Sequence, residues 1–81
     1  MKKEVVILGS TGSIGKSLLN IIARDKKNFQ ILLLTADKNY KLLLKQAKKY
    51  KVKNLIITNK KSFEILNKNL KKNKSINVFN N

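Results

Sequence analysis

The residues best suited to chemistry in this chain form one glycine-rich run, Gly9-Ser10-Thr11-Gly12-Ser13-Ile14-Gly15. Glycine has no Cβ, so it lets the backbone turn sharply and come close to a phosphate. Thr11 and Ser13 add hydroxyl donors in the same run. A helix that starts inside the run adds unpaired N–H groups and the positive end of its dipole. Together these groups can cradle the pyrophosphate of a dinucleotide. The spacing is G-x-x-G-x-x-G, not the commoner G-x-G-x-x-G fingerprint. It points away from simple NAD dehydrogenases and toward NADP-using families and sugar-nucleotide epimerases and reductases. Glycine turns also link strands to helices for packing alone, so the flanking elements decide how much the run means.

Those elements are the ones a phosphate cradle needs. Val5-Val6-Ile7-Leu8 is a short apolar strand that runs straight into Gly9. A helix follows over about Ser13 to Arg24, with Ile14, Leu18, Ile21 and Ile22 recurring at helical spacing. Phe29-Gln30-Ile31-Leu32-Leu33-Leu34 suits a strand buried on both faces. A second helix is predicted from Asn39 or Tyr40 to Tyr50, with Tyr40, Leu43, Leu44, Ala47 and Tyr50 inward and Asn39 as N-cap. Leu55-Ile56-Ile57 reads as a third strand. Asn59 or Ser62 starts a third helix with Phe63, Leu66 and Leu70 inward, and Ile76-Asn77-Val78-Phe79 reads as a fourth strand.

The predicted order is βαβαβαβ. Such alternation implies an α/β fold with a parallel sheet and right-handed crossovers. The expected strand order is 3-2-1-4, the start of a Rossmann-like sheet. A full sheet of that type has about six strands, so this one is expected to be incomplete, with strand four an open edge and Phe79 short of packing.

In such a sheet the residues after strand two meet the adenosine ribose. Here they are Asp37-Lys38-Asn39, and Asp37 lies 22 residues past Gly15. An acid there accepts from the ribose hydroxyls of NAD and repels a 2′-phosphate. Lys38 attracts that phosphate, so the two neighbours favour opposite cofactors. Asp37 as a cap of the following helix, with Lys38 merely solvated, is the bland alternative.

Composition restricts what else the chain can do. It has 81 residues, enough for one small domain with a modest core. Cysteine and histidine are absent, which removes thiolate metal sites and the usual general base. The four acids, Glu4, Asp25, Asp37 and Glu64, are scattered, and no paired-carboxylate or metal cluster is visible. No catalytic residue or metal ligand is therefore assigned.

Net charge is +15, from nineteen Lys and Arg against four acids. Attraction to nucleic acid is one reading. Only Arg24 among the basic residues can make bidentate base contacts, and no basic-aromatic interleaving suggests base stacking. Lysines spread over solvated faces are favoured. Glu4 and the glycines interrupt any signal-peptide core after Met1-Lys2-Lys3, and no run approaches a membrane span. A soluble, cytoplasmic protein without membrane contact is expected.

The run ILGSTGSIG, followed by LLTADKN after the second strand, resembles the 1-deoxy-D-xylulose 5-phosphate reductoisomerase family. The likeness continues through LLLKQAKKYKVKNLIIT. It covers essentially the whole chain but only the start of the family's length. It implies that residues 1–81 are the N-terminal portion of an NADPH-binding Rossmann-like domain, with the catalytic and C-terminal domains absent. It also implies an oxidoreductase of non-mevalonate isoprenoid synthesis, turning 1-deoxy-D-xylulose 5-phosphate into 2-C-methyl-D-erythritol 4-phosphate. Full-length members use a divalent metal (Mg or Mn) and are typically homodimers.

By the resemblance, Thr11, Gly12, Ser13 and Ile14 contact the cofactor, as do Lys38 and Asn39. Gly12 and Gly15 make room for phosphate, and Ile14 packs beside the cofactor. Gly9 and Ser10 complete the candidate loop. Asp37 departs from the family's small residue, often glycine, at its position. The family's metal carboxylates, substrate-phosphate site and lid lie further along, so the chain is expected to be inactive alone. Two other readings stay open: a fragment of another NADP-dependent reductase or epimerase, and a small basic RNA-binding module.

Overall fold

Seven elements alternate along the computed structural model, which describes residues 2–72 and 75–80. Strand β1 (Lys3–Ile7) leads through the glycine run to helix α1 (Ser13–Ala23). Strand β2 (Phe29–Ala36), helix α2 (Tyr40–Tyr50), strand β3 (Asn54–Ile57), helix α3 (Lys60–Asn69) and strand β4 (Asn77–Asn80) follow. All neighbouring strands pair in parallel.

The helices start and stop for local reasons. Asn39 Oδ1 accepts from the Leu42 N–H at 3.2 Å and caps α2, as the sequence led us to expect. Asn59 does the same for α3, accepting from Ser62 N–H at 2.9 Å. Lys51 ends α2 in the left-handed conformation, and the Val52 N–H closes back on the Ala47 carbonyl at 2.9 Å.

The strand order is β1-β2-β3-β4, not 3-2-1-4. β4 pairs with β3, so β1 and β4 are the two edges of the described sheet. The physical consequence is large. Right-handed crossovers that all step in one direction place every helix on one face. α2 packs on β2 and β3 and touches α3, and α1 and α2 share a cleft lined by Leu19, Leu42 and Gln46. The core is therefore one-sided: Ile7, Leu34, Leu55 and Ile57 meet Leu19, Leu43, Ala47 and Leu66.

The opposite sheet face has no described cover. Val6 pairs with Leu33, Thr35 with Ile56, and Ile56 with Phe79, and these residues alternate with the core positions. Val6 and Phe79 are each about half exposed, at 51% and 53%. The expectation that β2 is buried on both faces is thus corrected: Leu32 is exposed and Leu33 half-buried. Leu32 also has no partner in β1, because the register slips by one residue between Val5 and Val6.

The most apolar stripe of α1 is not the one that enters the core. Ile14, Leu18 and Ile21 are exposed, and the buried stripe is Gly15 and Leu19 with Ile22 beside them. The helix lies against the loop through a glycine, so the stripe that enters the core is rotated by one position from the most apolar one.

Candidate functional site

The glycine run joins the C-terminal end of β1 to the N-terminus of α1. Its three glycines do different work. Gly9 has φ +66°, a left-handed conformation that a side chain would strain, and a Cβ added there meets nothing within 4 Å. Gly12 is exposed, and a Cβ there would touch only the Gly9 carbonyl oxygen at 3.4 Å. The space above these two residues is open to a ligand. Gly15 is buried, and its Cβ would run into the Gly9 oxygen and come within 2.6 Å of Ser10 Cα. Gly15 therefore serves helix-to-loop packing, and the open space expected over it lies instead over Gly9 and Gly12.

The loop is held from behind. The Gly9 N–H donates to Thr35 Oγ1 at 2.8 Å, and the Ser10 N–H donates to the Thr35 carbonyl at 2.9 Å. Ser10 Oγ donates to Gln46 Oε1 at 2.8 Å, and Gln46 Nε2 donates to the Ser10 carbonyl at 2.9 Å. Ser10 is fully buried, so its hydroxyl faces the protein interior and not a ligand. Thr35 and Gln46 were not singled out in the sequence. Gln46 could have been found as the one polar residue on the inward face of α2, between Leu43 and Ala47.

The ligand side of the loop is differently furnished. No side chain caps α1, whereas Asn39 and Asn59 cap the other two helices. Ser13 and Ile14 are exposed at that uncapped end, and Thr11 is half-buried next to them. The first-turn N–H groups of α1 thus lack a side-chain cap next to the open space over Gly9 and Gly12, and the Thr11 and Ser13 hydroxyls belong to the same turn, the groups an anion requires.

Asp37, Lys38 and Asn39 follow β2 at the same edge of the sheet, and all three are exposed. The Asp37 carboxylate does not cap α2. It accepts from Thr58 Oγ1 at 2.6 Å, just past β3, while Asn39 provides the cap. Asn39 spends its carbonyl oxygen there, which leaves the amide donor end of the side chain. The structure thus brings the two expected groups, residues 9–15 and 37–39, to adjacent strand ends. In parallel α/β sheets ligands bind outside the carboxyl ends of the strands. A cleft of about 410 Å³ lies toward the other end of the strands, between Phe29, Ile22 and Tyr50.

The family model of 1-deoxy-D-xylulose 5-phosphate reductoisomerase matches residues 5–81. This chain belongs to that family. The reductoisomerase of Pelagibacter ubique is 58% identical over 79 residues, covering 98% of this chain and 20% of that protein. The Porphyromonas gingivalis enzyme is 47% identical over 57 residues, covering 70% of this chain and 15% of that protein. A solved reductoisomerase from Zymomonas mobilis, in complex with NADPH, superimposes with a TM-score of 0.86 at 33% identity, over 96% of this chain and 20% of that one. Another, in complex with magnesium, superimposes with a TM-score of 0.90 at 23% identity, a likeness of fold. The chain spans about a fifth of the length of these relatives.

Two further findings bear on the expectations. Among the described residues no three His, Cys, Asp or Glu side chains come together as a metal site. Among the same residues no helix is long and apolar enough to cross a membrane.

Proposed function

We propose that this chain forms the N-terminal NADPH-binding portion, residues 1–81, of a 1-deoxy-D-xylulose 5-phosphate reductoisomerase. The observation that carries the reading is the uncapped N-terminus of α1 beneath the open space over Gly9 and Gly12. The family membership and the NADPH complex of the Zymomonas mobilis relative support it. Backbone N–H groups of Ser13 and Ile14, with the Thr11 and Ser13 hydroxyls, hold the pyrophosphate. Lys38 and the Asn39 amide serve the 2′-phosphate. Gly15, Ser10, Thr35 and Gln46 hold the loop in shape.

When bound, NADPH supplies a hydride for reduction of the rearranged sugar phosphate. The residues of this chain bind and orient the cofactor, and none is placed to transfer a proton. The described residues do not fit a divalent metal, so no step of the reaction is assigned to one here. The substrate and the homodimer belong to the full-length reductoisomerase in this reading, and the cytoplasm is its setting, since no cysteine calls for an oxidising compartment.

The test is an NADPH titration of wild type and Gly12→Val, both checked by circular dichroism. A branched side chain over Gly12 fills the space left for phosphate, so binding should be lost while helix content is kept. Equal affinities would remove the loop from the binding site.

A further inference from the structure

Asp37 and Thr58 stand side by side at the carboxyl ends of neighbouring strands. Ala36 pairs with Ile57, and the Thr58 N–H donates to the Ala36 carbonyl at 3.1 Å. One residue on, the Asn59 N–H donates to the Asp37 carbonyl at 3.0 Å. These bonds pin the backbone of Asp37, so its carboxylate can be re-aimed only by turning the side chain. Thr58 Oγ1 donates to that carboxylate at 2.6 Å, within the short range of O–H···O⁻ bonds.

An acid at the end of the second strand ordinarily accepts from the ribose hydroxyls and opposes a 2′-phosphate. Lys38, the next residue, does the opposite. In this structure the acid already has a partner, on β3's side, and the cap that might have occupied it is provided by Asn39. Lys38 is exposed beside them with its ammonium uncommitted to Asp37.

We propose that Thr58 is a specificity-determining residue. Its hydroxyl turns the Asp37 carboxylate toward the end of β3 and weakens it as a ribose acceptor, which leaves Lys38 to favour NADPH over NADH. The proposal rests on the reading that the glycine loop binds a dinucleotide. It explains how an acid can stand at this position without selecting NADH. Thr58 touches Asp37 and need not touch the cofactor, so its role is to position the acid.

The experiment compares dissociation constants for NADPH and NADH across a small set of variants of the 81-residue chain. Thr58→Val keeps the shape and removes the donor. It should weaken NADPH, strengthen NADH and shift their ratio toward NADH about three- to fivefold, the scale of one exposed charge-assisted bond. Thr58→Ser keeps a hydroxyl and should keep the wild-type ratio. In an Asp37→Asn background Thr58→Val should leave the ratio unchanged, because the carboxylate it re-aims is gone. A change in stability alone does not move a ratio of two affinities measured on the same folded protein. An unchanged ratio in Thr58→Val, or a shift that persists without the Asp37 carboxylate, overturns the proposal. If the wild type binds neither nucleotide, the dinucleotide reading falls, and this proposal falls with it.

Discussion

Ser10 and Gln46 are joined twice across the fold, hydroxyl to carboxamide oxygen at 2.8 Å and carboxamide nitrogen to Ser10 carbonyl at 2.9 Å. Both residues are buried, so each bond replaces water that neither group can reach. Through this pair α2 grips the back of the loop whose front is left open. Buried polar groups satisfied on all sides fix one conformation, which is what a loop of glycines lacks by itself.

Gln46→Leu should therefore do two things. It strands the Ser10 carbonyl and leaves the hydroxyl only the Thr35 carbonyl at 3.4 Å, costing about 1–3 kcal/mol of stability. It also loosens the loop, so NADPH affinity should fall more than in a control of comparable stability such as Leu66→Ala, which touches only the core. Urea denaturation and NADPH titration of both variants check this. Equal loss of affinity in the two would mean that the Ser10–Gln46 pair contributes to stability only.

The glycines give a sharper contrast. Gly15→Ala puts a methyl group into the backbone of Gly9 and Ser10, which cannot swing aside as a side chain can. Overpacking of this kind costs about 1–3 kcal/mol, and the melting temperature should drop. Gly12→Ala meets only the Gly9 oxygen at 3.4 Å and should melt close to the wild type. If the two alanine variants melt alike, Gly15 does not hold the helix against the loop.

Much of this fold can be read from the sequence, and the gaps have physical causes. All seven elements fall where apolar periodicity puts them, and Asn39 caps α2 as its place ahead of Tyr40 suggests. The strand order could not be read this way. Val78 and Phe79 have the same alternation whether β4 lies beside β1 or beside β3, and no residue pattern encodes the direction of a crossover. The inward stripe of α1 was displaced because Gly15 packs by lacking a side chain, and periodicity counts only side chains. Asp37 was visible as a charge, but its partner Thr58 is distant in sequence and meets it only through strand pairing.

The bare sheet face gives a prediction about association. Val6 and Phe79 are exposed there, and no lysine of a described strand shares that face, whose one strand charge is Glu4 at the end of β1. Contiguous exposed apolar surface favours self-association. Val6→Thr with Phe79→Thr should lower it, with sedimentation shifting toward the monomer. Helix content should be kept, since neither residue belongs to the buried core. Identical sedimentation of wild type and variant across a concentration series would show that this face is not used between copies.

Salt should stabilise the chain. Its net charge of +15 is carried by 81 residues, and like charges repel most in the compact state. At low ionic strength the lysines on α2 and α3 repel one another, since the two helices carrying them are in contact. About 0.15 M salt shortens the screening length to about 8 Å and removes most of the longer-range repulsion. The melting temperature should rise from low to moderate sodium chloride. It should rise further in sodium sulfate at equal ionic strength, because sulfate also strengthens apolar burial. Equal gains in the two salts would leave screening as the whole effect. A melting temperature indifferent to both would mean that the lysines are too far apart or too well solvated for their repulsion to reach the fold.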